Sequence, residues 1–235
     1  MASSNNFLMV LPLRGLLLRS ISLISCLIIF EVAQAQPPIH PLISTHQDFI
    51  DVASIPNVKL DKRYASDNNF CHMILDSNKC SCSLHPLAAA KFLKACDLLA
   101  KEKPGWKFVV FDAFRPISVQ KKLYQVVKGT LKAHYVAYPS YGIHCYGFAI
   151  DLSLLDENGK VIDMGTDFDD FSELAEPRFE VKYLHSGKLS KEQYANRLLL
   201  RSVMKRAGFY QLQREWWHYE ALPEHIVRQR FKQMD

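Results

Sequence analysis

In the segment Gly142-Ile143-His144-Cys145-Tyr146-Gly147-Phe148-Ala149-Ile150-Asp151, an imidazole and a carboxylate stand seven positions apart. Both are natural zinc ligands. A fully extended chain would hold them ~23 Å apart, so joint ligation requires the backbone to fold back, and Gly147 is the obvious place for an unusual conformation. His144 then belongs to a loop and Asp151 to the strand that follows. Alone the pair is a weak signal, because a histidine near an aspartate more often marks a hydrogen bond than a metal. A second segment, Glu215-Trp216-Trp217-His218, adds another imidazole with a carboxylate three residues before it, in an aromatic and water-poor setting. Three protein ligands on zinc would leave a fourth position open for water.

These side chains need elements to hold them. Phe108-Val109-Val110-Phe111 is a short apolar, strand-favouring run between Pro104-Gly105 and Arg115-Pro116, which predicts a buried strand over 106–113 that delivers Asp112 and Arg115 to its end. Leu87, Phe92, Leu93, Cys96 and Leu99 recur at helical spacing, Pro86 suits a first helical turn, and the helix should run over 86–101. Further helices are expected over 119–130 and 191–206, and strands over 148–154 and 215–219. On such a last strand, Glu215 and His218 would point to opposite faces, so sharing a site demands a twist or bulge. The polar segment 62–70 reads as a loop. Helices and strands without strict alternation indicate an α+β domain.

Composition sets the outer limits. With 49% hydrophobic and 23% charged residues among 235, the chain is an ordinary globular protein with a buried core. The net charge of +5 is mild, and Lys and Arg are scattered instead of gathered into a stripe, which argues against nucleic acid as a partner. Arg14 and Arg19 precede an uncharged run over 20–30, and Ala33-Gln34-Ala35 supplies a small-residue cleavage site. We therefore expect a signal peptide over 1–35, an exit segment over 36–47, and one catalytic domain over 48–235, located in the periplasm or secreted. The run is shorter than the ~18 apolar residues of a membrane span, so no stable span is expected after cleavage. Acylation at Cys26, in Leu23-Ile24-Ser25-Cys26, is the alternative fate of the leader. Past residue 35 the cysteines are Cys71, Cys80, Cys82, Cys96 and Cys145, an odd number, and the first four could form one or two disulfides.

Several ordered motifs together carry a more specific message. Tyr64-Ala65-Ser66-Asp67-Asn68-Asn69-Phe70, Asp112-Ala113-Phe114-Arg115-Pro116, His144 through Asp151, Asp163-Met164-Gly165-Thr166-Asp167-Phe168-Asp169, Arg201-Ser202-Val203-Met204 and Glu215-Trp216-Trp217-His218 resemble the D-alanyl-D-alanine dipeptidases of the VanX-like group, within the wider zinc D,D-peptidase family. The resemblance covers nearly all of the chain past the leader. It implies a single α+β domain with a mainly antiparallel central sheet flanked by helices and the zinc site at the sheet, as in D,D-peptidase/hedgehog-like folds. It further implies that His144, Asp151 and His218 bind one Zn2+, that Glu215 is the general base, and that Arg115 faces the reacting carbonyl. Tyr64 and Asp169 are implied to lie near the free ammonium of a small D,D-dipeptide.

The residue types agree with those roles. A carboxylate within reach of an activated water can take its proton, a guanidinium can stabilise a developing oxyanion, and a carboxylate suits an ammonium. Read without the family, Arg115 would form a salt bridge with Asp112 or another acid at the strand end, and Asp163, Asp167, Asp169, Asp170 and Glu173 would be a solvated or ion-binding loop. The chain departs from the family pattern at Gly142, where a serine is usual, and at Cys145. Two other functions remain open at this level: a D,D-carboxypeptidase or endopeptidase trimming peptidoglycan stems, and a non-catalytic zinc-stabilised envelope-binding module.

Overall fold

The apolar run around Val109 forms strand β4 (Lys107–Asp112), and a sheet extends from it on both sides. The computed structural model describes residues 48–75 and 82–235. The expected leader, the exit segment, Cys26 and Cys80 lie outside the described residues. Two short strands, β1 (Ile50–Asp51) and β3 (Ser83–Leu84), form a separate antiparallel pair. In the main sheet, β2 (Val58–Leu60) runs parallel to β4, with Val58 opposite Phe108. On the other side β5 (Ala149–Leu155) runs antiparallel, with Val109 opposite Ser153. Beyond it lie β7 (His218–Glu220), antiparallel to β5, and at the far edge β6 (Tyr210–Gln211). The order β2-β4-β5-β7-β6 is antiparallel at every junction except the first.

Helix α1 (Pro86–Glu102) has Pro86 in its first turn, where the missing N–H costs nothing. Its buried stripe of Ala88, Ala89, Phe92, Ala95, Cys96 and Leu99 packs on β4 and on helix α4 (Lys191–Ala207). The start of α4 is fixed by a reciprocal capping box between Ser190 and Gln193. Helix α2 (Ile117–Val127) begins and ends earlier than its apolar spacing suggested. Pro116 caps its start, and the Thr130 hydroxyl caps a separate short turn, Leu131–His134, instead of continuing the helix. Two short helices, α3 (Glu180–His185) and α5 (Glu224–Arg230), were not expected; six or seven residues carry little periodic signal. Phe92, Leu99, Phe108, Leu152, Leu154 and Val203 make the centre of a continuous core. The result is one α+β domain, as expected.

One element differs in a way that matters for the site. The expected strand over 215–219 begins only at His218. The two preceding tryptophans direct their backbone elsewhere: Trp216 N–H donates to Ala175 O (3.2 Å), while Trp217 O accepts from Leu152 N (3.1 Å). Glu215 therefore arrives on irregular chain, and no bulge within a strand is needed to turn it toward His218. Among the described residues, no helix is long and apolar enough to cross a membrane.

Candidate active site

Strand register assembles most of the site. Asp112 on β4 is opposite Asp151 on β5, and Asp151 is opposite His218 on β7. Directly paired residues on neighbouring strands project from the same face, so these three polar side chains meet on one face of the sheet. His144 joins them from a short turn, Ile143–Tyr146, which ends at Gly147 in the left-handed conformation with φ 70°. A Cβ at Gly147 would lie 2.2 Å from Phe49 Cε2 and 3.0 Å from the backbone nitrogen of His85. Both the backbone shape and the close packing thus call for glycine, and the reversal there brings His144 back over Asp151.

The donor atoms form a tight triangle. His144 Nε2 is 3.2 Å from His218 Nδ1 and 3.3 Å from Asp151 Oδ2, and His218 Nδ1 is 2.9 Å from Asp151 Oδ1. Tetrahedral zinc with bonds of 2.0–2.1 Å spaces its ligands about 3.3 Å apart, so the triangle fits the ion. Outer partners settle which nitrogens face inward. His144 Nδ1 must donate to Ala113 O, 2.6 Å away, because a carbonyl can only accept. His218 Nε2 faces Glu220 Oε1 at 3.4 Å. Outer hydrogen bonds of this kind orient imidazoles that bind metals, and here they leave two lone pairs facing each other unless a cation lies between. Without metal that cation is a proton. Burial works against a charged His218, but hydrogen bonds to Asp151 and Glu220 with the charges of Asp151 and Glu215 raise its pKa well above the usual value. Burial likewise opposes ionised Asp151, and the neighbouring His144 and His218 outweigh it and pull its pKa down.

Arg115 closes one side. Its Nε donates to Asp112 Oδ2 (2.8 Å), its Nη2 pairs with the same oxygen (2.5 Å), and Nη1 donates to Gln120 Oε1 (2.8 Å). Asp151 Oδ2 is 3.7 Å from Nη2. Burial disfavours the guanidinium charge, yet Asp112, Tyr64 and Asp151 more than restore it, so Arg115 stays cationic. Of the acids that could pair with Arg115 at the strand end, Asp112 is the one that does, and the same contact aims the guanidinium along the cavity wall. Tyr64 lies beneath it, ring centroid 4.8 Å from Cζ, a cation–π contact.

The remaining candidates line the same cavity of about 170 Å³, together with His144, Asp151, His218 and Arg115. Glu215 Oε2 is 3.9 Å from His218 Nδ1, and burial, tempered by His218, pushes its carboxyl up to about 7. Asp169 holds a left-handed backbone, φ 64°, a strained conformation that in non-glycine residues clusters at functional sites. Its two oxygens accept from Tyr64 OH (3.2 Å) and Phe70 N–H (3.4 Å). Desolvation and the charge of Asp151 raise the Asp169 pKa well above the usual carboxylate range, against the opposing pull of Arg115.

The acidic segment separates into distinct roles. Asp163 caps Gly165 N–H and binds Gln193, and Glu173 pairs with Lys182, whereas Asp169 reaches the cavity. Cys145 is a buried free thiol whose pKa burial pushes up to about 12, and it stands outside the cluster that could hold a metal. Cys71 and Cys96 are also free thiols, which excludes two disulfides within the four-cysteine group. Sequence reasoning missed Gln120, whose partner Arg115 lies five residues earlier in the irregular segment between β4 and α2, and Arg197. Arg197 is fully buried on α4, and its Nε and Nη1 donate to Met164 O (2.6 Å) and Leu174 O (2.9 Å), bracketing the loop that carries Asp169. A lone arginine on the apolar stripe with Leu200, Val203 and Met204 was the available signal.

The chain is similar to known peptidases. The family model for D-Ala-D-Ala dipeptidase, peptidase family M15, matches residues 45–235. A D-alanyl-D-alanine dipeptidase of Escherichia coli is 30% identical over 184 residues, covering 77% of this chain and 88% of that protein. Others from Synechocystis and Enterococcus faecium are 31% and 27% identical, over 52% and 70% of this chain and 62% and 86% of theirs.

Proposed function

The chain belongs to the D-Ala-D-Ala dipeptidase family of M15 metallopeptidases, and on that premise we propose that it hydrolyses the peptide bond of D-Ala-D-Ala or a similarly short D,D-dipeptide. The observation that carries this reading is the meeting, in one cavity of about 170 Å³, of a metal-fitting triangle with the carboxylate of Asp169. Ligand pockets commonly measure ~300–1,000 Å³, so this one suits a very small substrate. A free ammonium beside a reacting carbonyl is what distinguishes a dipeptide from a longer stem.

His144 Nε2, Asp151 and His218 Nδ1 would hold one zinc ion per chain. Bound there, zinc supplies Lewis acidity and makes water acidic near neutral pH. Glu215 is the base that accepts the proton of the attacking water and then gives it to the departing amine. Its buried carboxyl, with a pKa raised to about 7, is suited to both transfers. Arg115, already fixed by Asp112 and Gln120, donates to the carbonyl oxygen as negative charge develops, without having to move. Asp169, held by Tyr64 and Phe70, receives the substrate ammonium through a charge-assisted hydrogen bond. The leader over 1–35, with cleavage after Ala35, supports a location in the periplasm or outside the cell.

A substrate series tests the reading. D-Ala-D-Ala, N-acetyl-D-Ala-D-Ala and a stem pentapeptide ending in D-Ala-D-Ala are offered to the zinc-loaded protein. Cleavage of the free dipeptide alone is expected. Comparable cleavage of the acylated or longer substrates would assign a D,D-carboxypeptidase or endopeptidase, and no turnover despite bound zinc would assign a binding module.

A further inference from the structure

Gln120 stands outside every metal-binding or acidic segment, yet its side chain is fully buried in the wall of the catalytic cavity. A primary amide in that position needs specific partners. Gln120 Oε1 accepts from Arg115 Nη1 (2.8 Å), and its Nε2 donates to Ala137 O (2.7 Å). The two bonds fix which way the amide points, since the oxygen can only accept and the nitrogen can only donate.

Their effect falls on Arg115. Asp112 holds the Nε and Nη2 edge of the guanidinium, and Gln120 holds Nη1 at the other end. A guanidinium carries five N–H donors. Asp112 and Gln120 occupy one on each nitrogen, leaving one on Nη1 and one on Nη2 for the substrate oxygen. Through Ala137 the same amide is tied to the loop whose Tyr135, Val136 and Ala137 wall the cavity. That wall is braced in turn, with Tyr135 stacked on Phe171 at 5.1 Å and its hydroxyl donating to Glu176. Room for the amide comes from Gly142, where a Cβ would lie 3.2 Å from both Cδ and Oε1 of Gln120. A contact of that length forces the neighbour to give way, and the neighbour is held at both ends.

We propose that Gln120 is a positioning residue for the reaction: it fixes the far end of the Arg115 guanidinium and ties it to the cavity wall at Ala137, in space that Gly142 leaves open. The inference rests on the peptidase reading, in which Arg115 donates to the reacting carbonyl.

Gln120→Met keeps the volume and removes both hydrogen bonds. In the zinc-loaded protein we expect kcat for D-Ala-D-Ala to fall about tenfold to a hundredfold, with a smaller change in KM. In an Arg115→Ala background the same substitution should leave the residual kcat unchanged. Gln120→Glu, which retains the acceptor for Nη1, should be closer to wild type than Gln120→Met. Gly142→Ala reaches the same end by displacing the amide, and reads the effect should Gln120→Met fail to fold. An equal loss of kcat with and without Arg115, or no loss from either substitution, would overturn the proposal. The nitrogen resonances of the Arg115 guanidinium give a second reading that needs no turnover: its Nη1 signals should be resolved in wild type and averaged in the variant. Unchanged signals count against the role of Gln120, whereas absent turnover in wild type counts only against the peptidase reading.

Discussion

Gly147→Ala tests the turn that brings His144 over Asp151. Two costs add. An L-residue in the left-handed region is disfavoured by roughly 1–2 kcal/mol, and Gly147 has φ 70°. The new methyl would sit 2.2 Å from Phe49 Cε2, 2.7 Å from Phe49 Cζ and 3.0 Å from His85 N. The phenylalanine ring can shift within its small cluster with Phe114 and Met234, but the His85 nitrogen is backbone, so the overpacking cost of about 1–3 kcal/mol is not escaped. The sum, about 2–5 kcal/mol, corresponds to a fall in Tm of roughly 4–20 °C at 2–4 °C per kcal/mol for a domain of this size. Gly159→Ala is the control: its φ is 81° and nothing lies within 4 Å of the added Cβ, so it bears only the backbone cost. Thermal and urea unfolding of the metal-free proteins, followed by zinc titration, measure both effects. The variant at Gly147 should lose more stability than the one at Gly159 and also bind zinc more weakly. Equal stability and equal zinc affinity in the two variants would refute the turn geometry.

Three further outcomes follow from the site. Arg115→Lys keeps the charge but loses the fork that spans Asp112 and Gln120, and kcat for the dipeptide should fall about 10²- to 10³-fold, with a rate near wild type counting against the oxyanion role. Asp169→Asn should raise KM for D-Ala-D-Ala roughly tenfold to a hundredfold, the worth of a hydrogen bond to a charged group, in steady-state kinetics; an unchanged KM would place the ammonium elsewhere. Zinc affinity should rise with pH between 6 and 8, because the raised pKa of His218 keeps a proton on the metal-binding edge until pH exceeds it, and the ion must displace that proton. Calorimetry in buffers of different ionisation enthalpy should show proton release on binding, and pH-independent affinity without release would contradict the assignment of Nδ1 as donor.

Periodicity alone located α1, β4 and most of α4, because each buries a full apolar stripe or run. The metal-fitting residues were legible as types, and Gly147 as the reversal between them, since only one glycine separates His144 from Asp151. What the sequence could not show was register. That Asp112, Asp151 and His218 stand side by side depends on pairings among β4, β5 and β7, which are far apart in the chain. The same limit hid Gln120, whose role lies in contacts with Arg115 and Ala137 and not in any local pattern. The strand expected from Glu215 failed for a related reason: Trp216 satisfies its backbone with Ala175, a long-range partner that no window of sequence contains.

Cleavage of a free D,D-dipeptide should depend on a metal at His144, Asp151 and His218 and on proton transfer by Glu215. Release of D-alanine from D-Ala-D-Ala by the zinc-loaded protein, measured beside Glu215→Gln and a chelated sample, tests this dependence most directly. Turnover in wild type, lost on chelation, restored by zinc, and lost in Glu215→Gln even though that variant retains the metal, is the predicted result. Turnover that survives chelation, or a Glu215→Gln variant that works at the wild-type rate, would contradict it.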